Sequence, residues 1–103
     1  MSDRSKATDI PLKVKQKVGE RDNWTCTYCG GFFGRGIPNS HYIKRSQGGL
    51  GIERNIVCHC ARCHNEYDNG RNPKPIKEAM KRHLKRCYKD WNESELYYNK
   101  GDK

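Results

Sequence analysis

"VCHCARCHNEYDNG", residues 57–70, decides how this chain is held together, because three cysteines and two histidines crowd into the seven positions from Cys58 to His64. Upstream stand Cys26 and Cys29, so that Cys26-x-x-Cys29 and Cys60-x-x-Cys63 form two knuckles separated by thirty residues. Four thiolates in this pattern converge tetrahedrally on zinc, each about 2.3 Å from the ion. Cys58 would widen the gap to Cys63 beyond a tight knuckle turn, which leaves Cys60 as the ligand. On a strand, Cys58 shares a face with Cys60 and lies near the zinc without binding it. Cys87 falls on an apolar helical stripe and reads as a small buried hydrophobe.

Composition explains why a metal staple is needed. Of 103 residues, 33% are hydrophobic and 32% charged, so apolar burial at roughly 25 cal/mol per Å² does little against the entropy of ordering the chain. The start, "MSDRSKATDI", lacks the apolar stretch of a secretory signal, so reduced thiols and a cytoplasmic location are expected. No run approaches the roughly 20 apolar residues of a membrane span, and no membrane partner is expected.

Charge points to the partner. Lys and Arg number 21 against 12 Asp and Glu, a formal net charge of +9. Residues 71–89 alone hold eight basic side chains and one acid, Glu78. Such a one-sided excess favours a polyanion, and DNA leads.

The chain reads as a small zinc-stabilised α+β domain in three segments: 1–22 helical, 23–70 carrying the knuckles, and 71–103 basic. Thr8 or Asp9 caps a first helix from Pro11 to Arg21. "HYIKRS" and "RNIVCHC" read as two short strands joined by the glycine-bearing "QGGLGIE". A helix from Ala61 to Asn69 ends at Gly70. Ile76, Ala79, Met80, Leu84 and Cys87 mark an amphipathic helix from Pro75 to Tyr88 with its basic residues opposite. Asn92 and Glu95 resemble a capping box that opens a short last helix bearing Leu96, Tyr97 and Tyr98, after which the chain frays.

With the cysteines committed to structure, His64 is free for another metal, and Asp68 lies one turn on along the same helical face. Imidazole and carboxylate together grip one divalent ion and leave positions for phosphate and water. His59 reads as solvent-facing, and His83, in the basic helix, as touching phosphate or water.

The stretch "SHYIKRSQGGLGIERNIVCHCARCH", residues 40–64, carries His41, Asn55 and His64 in order. It resembles the HNH nucleases, whose ββα-metal (His-Me finger) core takes its name from those three residues and is frequently framed by two CxxC knuckles. The likeness runs from Trp24 to about Gly70. "RSQGGLGIERN", "CHNEYDNG" and "DWNESELYY" look like the small phage and prophage members.

The resemblance implies a metal-dependent endonuclease that hydrolyses DNA to 5′-phosphate and 3′-hydroxyl ends, its ββα-metal core flanked by helices. His41 would be the general base, Asn55 would hold the loop that orients it, and His64 would ligate the catalytic ion, which Mg²⁺, Mn²⁺, Ni²⁺ or Zn²⁺ could supply. Many members place an Asp before the first His, whereas this chain has Ser40, so Asp68 becomes the candidate second ligand. Lys44, Arg45, Arg54 and Arg62 flank the site, and Lys74, Lys81, Arg82 and Lys85 extend the footprint along DNA phosphates without reading sequence. For phage relatives the likeness further implies action beside packaging proteins. Two other readings share the thiolates: a non-catalytic zinc-stabilised DNA-binding module, and a protein-interaction knuckle, against which the concentrated charge argues.

Overall fold

Two strands of three residues each carry the centre of the molecule. The computed structural model describes residues 3–98, with side chains from Lys6 onward; the fraying end expected after Tyr98 lies outside the described residues. The elements run α1 (Asp3–Thr8), α2 (Leu12–Arg21), β1 (Asn39–His41), β2 (Ile56–Cys58), α3 (Ala61–Asn69) and α4 (Lys74–Cys87), with four short 3₁₀ turns between and after them. The strands pair antiparallel, Asn39 opposite Cys58, Ser40 opposite Val57 and His41 opposite Ile56.

Side chains alternate across a strand, and β2 is buried on both faces. Val57 joins Tyr42, Ile43, Tyr67, Ile76, Met80, Leu84, Trp91 and Leu96 in one core, covered by α3 and α4. Ile56 and Cys58 turn the other way, to Val18 of α2, Ile37 and the cysteines of the knuckles. The three sequence segments thus share their cores, and the result is a small α+β fold.

Local sequence explains the helix limits. α3 and α4 lie within one residue of their predicted bounds, α3 ending at Gly70 and α4 carrying Pro75 in its first turn. α2 begins at Leu12 with Pro11 at its N-cap and no side-chain cap, in place of the Thr8 or Asp9 cap read from sequence. The capping box near Asn92 is half formed: Asn92 Oδ1 accepts from the Ser94 N–H at 3.0 Å, over a single 3₁₀ turn from Glu93 to Leu96.

The strands are shorter than the sequence implies. After His41 the chain leaves the sheet, passes through a turn at Arg45–Gln47, and closes it at Gly48 with φ +85°. Gly49 then packs its α-carbon against the Ile43 carbonyl, where a Cβ has no room. Three further expectations are corrected. His59 is fully buried rather than solvent-facing, because helices cover both faces of β2 and leave it no wet side. Cys87 is exposed rather than buried; the apolar stripe closes at Leu84, and Tyr88 and Trp91 cover that end of the core instead. His83 meets protein rather than water or phosphate: its Nε2 lies 2.8 Å from Asp22 Oδ1.

Asp22 is the polar joint of the fold. Its buried carboxylate accepts from Arg21 Nε at 2.7 Å and Nη2 at 2.9 Å, from the Cys58 N–H at 3.1 Å, and from His83. Arg21 also donates to the Glu53 and Ile56 carbonyls. Burial alone would push the carboxyl up, but hydrogen bonds and charge from His83 and Arg21 outweigh it and bring its pKa down to about 2. Removing one partner of a buried pair strands the other, at a typical cost of about 3–5 kcal/mol. We therefore expect Asp22→Asn to lower urea-unfolding stability by roughly that amount; a loss under about 1 kcal/mol would show that Arg21 finds water instead.

No helix of the described residues is long and apolar enough to cross a membrane.

Candidate metal and active site

The first knuckle is a tight hairpin. Thr25 bridges Phe32, the Cys26 N–H donates to the Gly31 carbonyl at 2.8 Å, and the Gly30 N–H returns to the Cys26 carbonyl at 2.9 Å. Gly30 turns the chain at φ +81°, a conformation that costs glycine nothing. The second knuckle is a helix start: Cys60 is the N-cap of α3 and Cys63 stands in its first turn. Thr27 joins the two, its N–H and hydroxyl both donating to the Cys58 carbonyl at the end of β2, at 2.9 and 3.1 Å.

The four sulfurs of Cys26, Cys29, Cys60 and Cys63 lie within 4.8 Å of one another. Cys29 and Cys60 Sγ are 3.8 Å apart, and a tetrahedron with about 2.3 Å bonds has edges of about 3.8 Å. The set therefore suits a structural zinc ion. Burial opposes ionisation of Cys26, but N–H groups of Cys29, Cys60 and Tyr28 outweigh it and bring its pKa down to about 7. Cys63 is pushed up to about 12 by burial and by its sulfur neighbours. Cys58, by contrast, points at the Val18 carbonyl at 3.9 Å. Burial, and then the charge of Asp22, push its thiol up to about 12. It stays neutral beside the cluster.

His41, at the end of β1, is half-buried. Its Nε2 lies 2.8 Å from the Thr8 carbonyl oxygen. A carbonyl only accepts, so Nε2 carries the proton and Nδ1 of the neutral ring is left as the basic atom. Burial holds the pKa below its usual 6.5, with Arg45 adding to the effect and the Thr8 carbonyl opposing it; Asp68 and His64 are close enough to act on it electrostatically.

Asn55 stands just before β2, fully buried. Its Oδ1 accepts from the Ile43 N–H at 2.8 Å, and its Nδ2 donates to the Ile43 and Leu50 carbonyls at 3.2 and 2.8 Å. Its own carbonyl accepts from the Tyr42 N–H at 2.8 Å. One side chain thus ties together the loop that leaves His41, so its work is positioning. Each buried partner left unsatisfied costs about 1–3 kcal/mol, so Asn55→Ala should destabilise the fold by several kcal/mol. A melting temperature unchanged from wild type would mean that the loop is held elsewhere.

On α3, His64 Nε2 and Asp68 Oδ2 are 3.2 Å apart, both side chains about a third exposed. At this distance the two side chains contact one another directly, one helical turn apart. Among the described residues the four cysteines are the one set of three or more metal-capable groups drawn this close, so His64 and Asp68 stand as a pair.

No protein-family model matches this chain, and no curated protein matches it either.

Of the basic residues expected to flank the site, Arg62 is exposed. Lys44 lies 5.1 Å above the Tyr67 ring, Arg45 pairs with Asp9, and Arg54 pairs with Asp90 at 2.9 Å. On α4, Lys74, Arg82 and Lys85 are exposed, while Lys81 stands 3.7 Å from Glu93. Ser40 turns inward opposite Val57, and its hydroxyl makes no hydrogen bond among the described residues. Sequence reasoning missed the Thr8 carbonyl, which no side-chain pattern could have disclosed, because the group is main chain.

Proposed function

We propose that the protein is a metal-dependent endonuclease of the HNH type, hydrolysing DNA phosphodiesters to 5′-phosphate and 3′-hydroxyl ends. The observation that carries the reading is His41: its ring is anchored through Nε2, its loop is clamped by Asn55, and its free Nδ1 lies within electrostatic reach of the His64–Asp68 pair. The order β1, β2, α3 follows the ββα arrangement the resemblance implies. His41 Nδ1 takes a proton from water as the oxygen attacks phosphorus and the 3′ oxygen departs. His64 and Asp68 would hold a divalent ion that, when bound, neutralises charge on the phosphate and the leaving oxygen. Asp68 takes the share of the carboxylate missing at Ser40. The exposed cations of α4 and Arg62 hold the DNA backbone, and this is the arrangement we propose for any partner met beside a packaging machine.

The test is supercoiled plasmid incubated with protein stripped of loosely held metal, with Mg²⁺, Mn²⁺, Ni²⁺ or Zn²⁺ added back in turn. Nicking that depends on one or more ions is the expected result. DNA retention without nicking under all four would replace this reading with a non-catalytic DNA-binding module.

A further inference from the structure

A groove of about 540 Å³, in the size range of small-molecule pockets, lies between the start of α2 and the chain leading into β1. Trp24, Ile10 and Ile37 line it together with Lys15, Arg35 and Asn39, and it contains no acid. The Arg35 guanidinium lies 5.2 Å over the Trp24 ring. Trp24 itself is fixed: Gly19 of α2 leaves room for its ring where a Cβ would collide, and its carbonyl accepts from the N–H groups of Phe33 and Gly34. Phe33 and Phe32 next to it are 51% and 72% exposed, which is costly display for aromatic rings unless something covers them.

Two of the lining residues, Asn39 and Ile10, are close in the chain to His41 and to its partner Thr8. Asn39, at one end, is two residues before His41 on β1, and residues two apart on a strand face the same way. Ile10 is two residues after Thr8, whose carbonyl holds the His41 ring. The Trp24 indole and the Arg35 guanidinium, with Lys15 near them and no acid among the described lining residues, complement a nucleobase stacked beside the Trp24–Arg35 pair with its phosphate on Lys15.

We propose that this groove takes an unpaired nucleobase flanking the scissile phosphodiester, so that the preferred substrate is single-stranded or locally unpaired DNA. The inference rests on the nuclease reading for its biological sense, but base stacking is measurable without cleavage. A base held in the duplex stack cannot reach a groove of this shape, and only an unpaired one reaches it without the cost of extrusion.

Trp24 and Trp91 are the two tryptophans, and Trp91 is 9% exposed, so DNA-dependent quenching reports on Trp24. The experiment titrates the 103-residue chain, in buffer without added divalent ion, with a twelve-nucleotide oligothymidylate and with a blunt, GC-rich duplex of the same length. We expect the oligothymidylate to quench and the duplex to bind without quenching. Arg35→Ala should weaken oligothymidylate binding about tenfold and leave duplex binding within about twofold. Zinc content checks that the variant is folded, and Lys89→Ala serves as the control for a generic loss of charge. Absent quenching, equal quenching by both DNAs, or equal weakening of both by Arg35→Ala would overturn the proposal. Quenching by protein concentration alone, with a dimer in sedimentation, would do the same and give the groove to a second copy. If plasmid is never nicked but oligothymidylate quenches as expected, the nuclease reading fails and the groove stands.

Discussion

Cys60→Ser will not fold to the native state at ordinary zinc concentrations. Cys60 is at once a sulfur of the four-cysteine cluster and the N-cap of α3. The cluster joins a hairpin near residue 26 to a helix start near residue 60 and lies in the core containing Val18, Ile37, Ile56 and Cys58. Beyond it, the only sheet among the described residues is the pairing of β1 with β2, three residue pairs long, and a two-stranded ribbon of that size is marginal in water. Structural zinc in small domains contributes on the order of 10–16 kcal/mol at neutral pH, more than a domain of this size holds in total stability. Circular dichroism and zinc stoichiometry read the outcome. Wild type should lose its fold on strong chelation and regain it with zinc, whereas the variant should bind less zinc and lack the cooperative transition. A zinc-replete, cooperatively folding Cys60→Ser protein would move the fourth ligand to Cys58.

His41→Ala should leave zinc content and fold intact and remove most cleavage, about 10²–10⁴-fold. The structural loss is small, one hydrogen bond to the Thr8 carbonyl, about 1 kcal/mol. The pH profile supplies an independent check. Burial and Arg45 hold the His41 pKa below 6.5, so its neutral form persists to lower pH than that of a free imidazole. Wild-type activity should therefore fall off only below pH 6.5, as the ring gains its proton, and the acid limb should vanish in whatever activity His41→Ala retains. Equal cleavage by the two proteins would remove His41 from the mechanism.

How much of this was legible beforehand varies with the kind of signal. α3 and α4 were readable to within a residue because helical spacing, Gly70 and Pro75 all speak locally. The knuckles were readable because zinc imposes a spacing that the chain must obey. The strands were not, since Tyr42 and Ile43 look like strand residues but reach the core from a loop that Asn55 pins from twelve positions away. His59 was misplaced for a related reason: alternation assigns an outward face, but α2 packs on one side of β2 and α3 with α4 on the other. For the proposed site, the sequence could name candidate side chains but not the groups that restrain them. Nothing in the sequence indicates that Thr8 of α1 touches His41, or that Gly51 gives up its side chain so that Asp9 can cross it.

α3 is nine residues long and carries Cys63, His64 and Asp68, with Cys60 at its head. The four-cysteine cluster and the proposed chemistry are therefore attached to one helix, so a metal of different radius in the thiolate cage should shift His64 with it. Cobalt in the cage becomes a reporter: its visible absorption should change when a second cation settles between His64 and Asp68, giving an optical titration of a site that is otherwise spectroscopically silent.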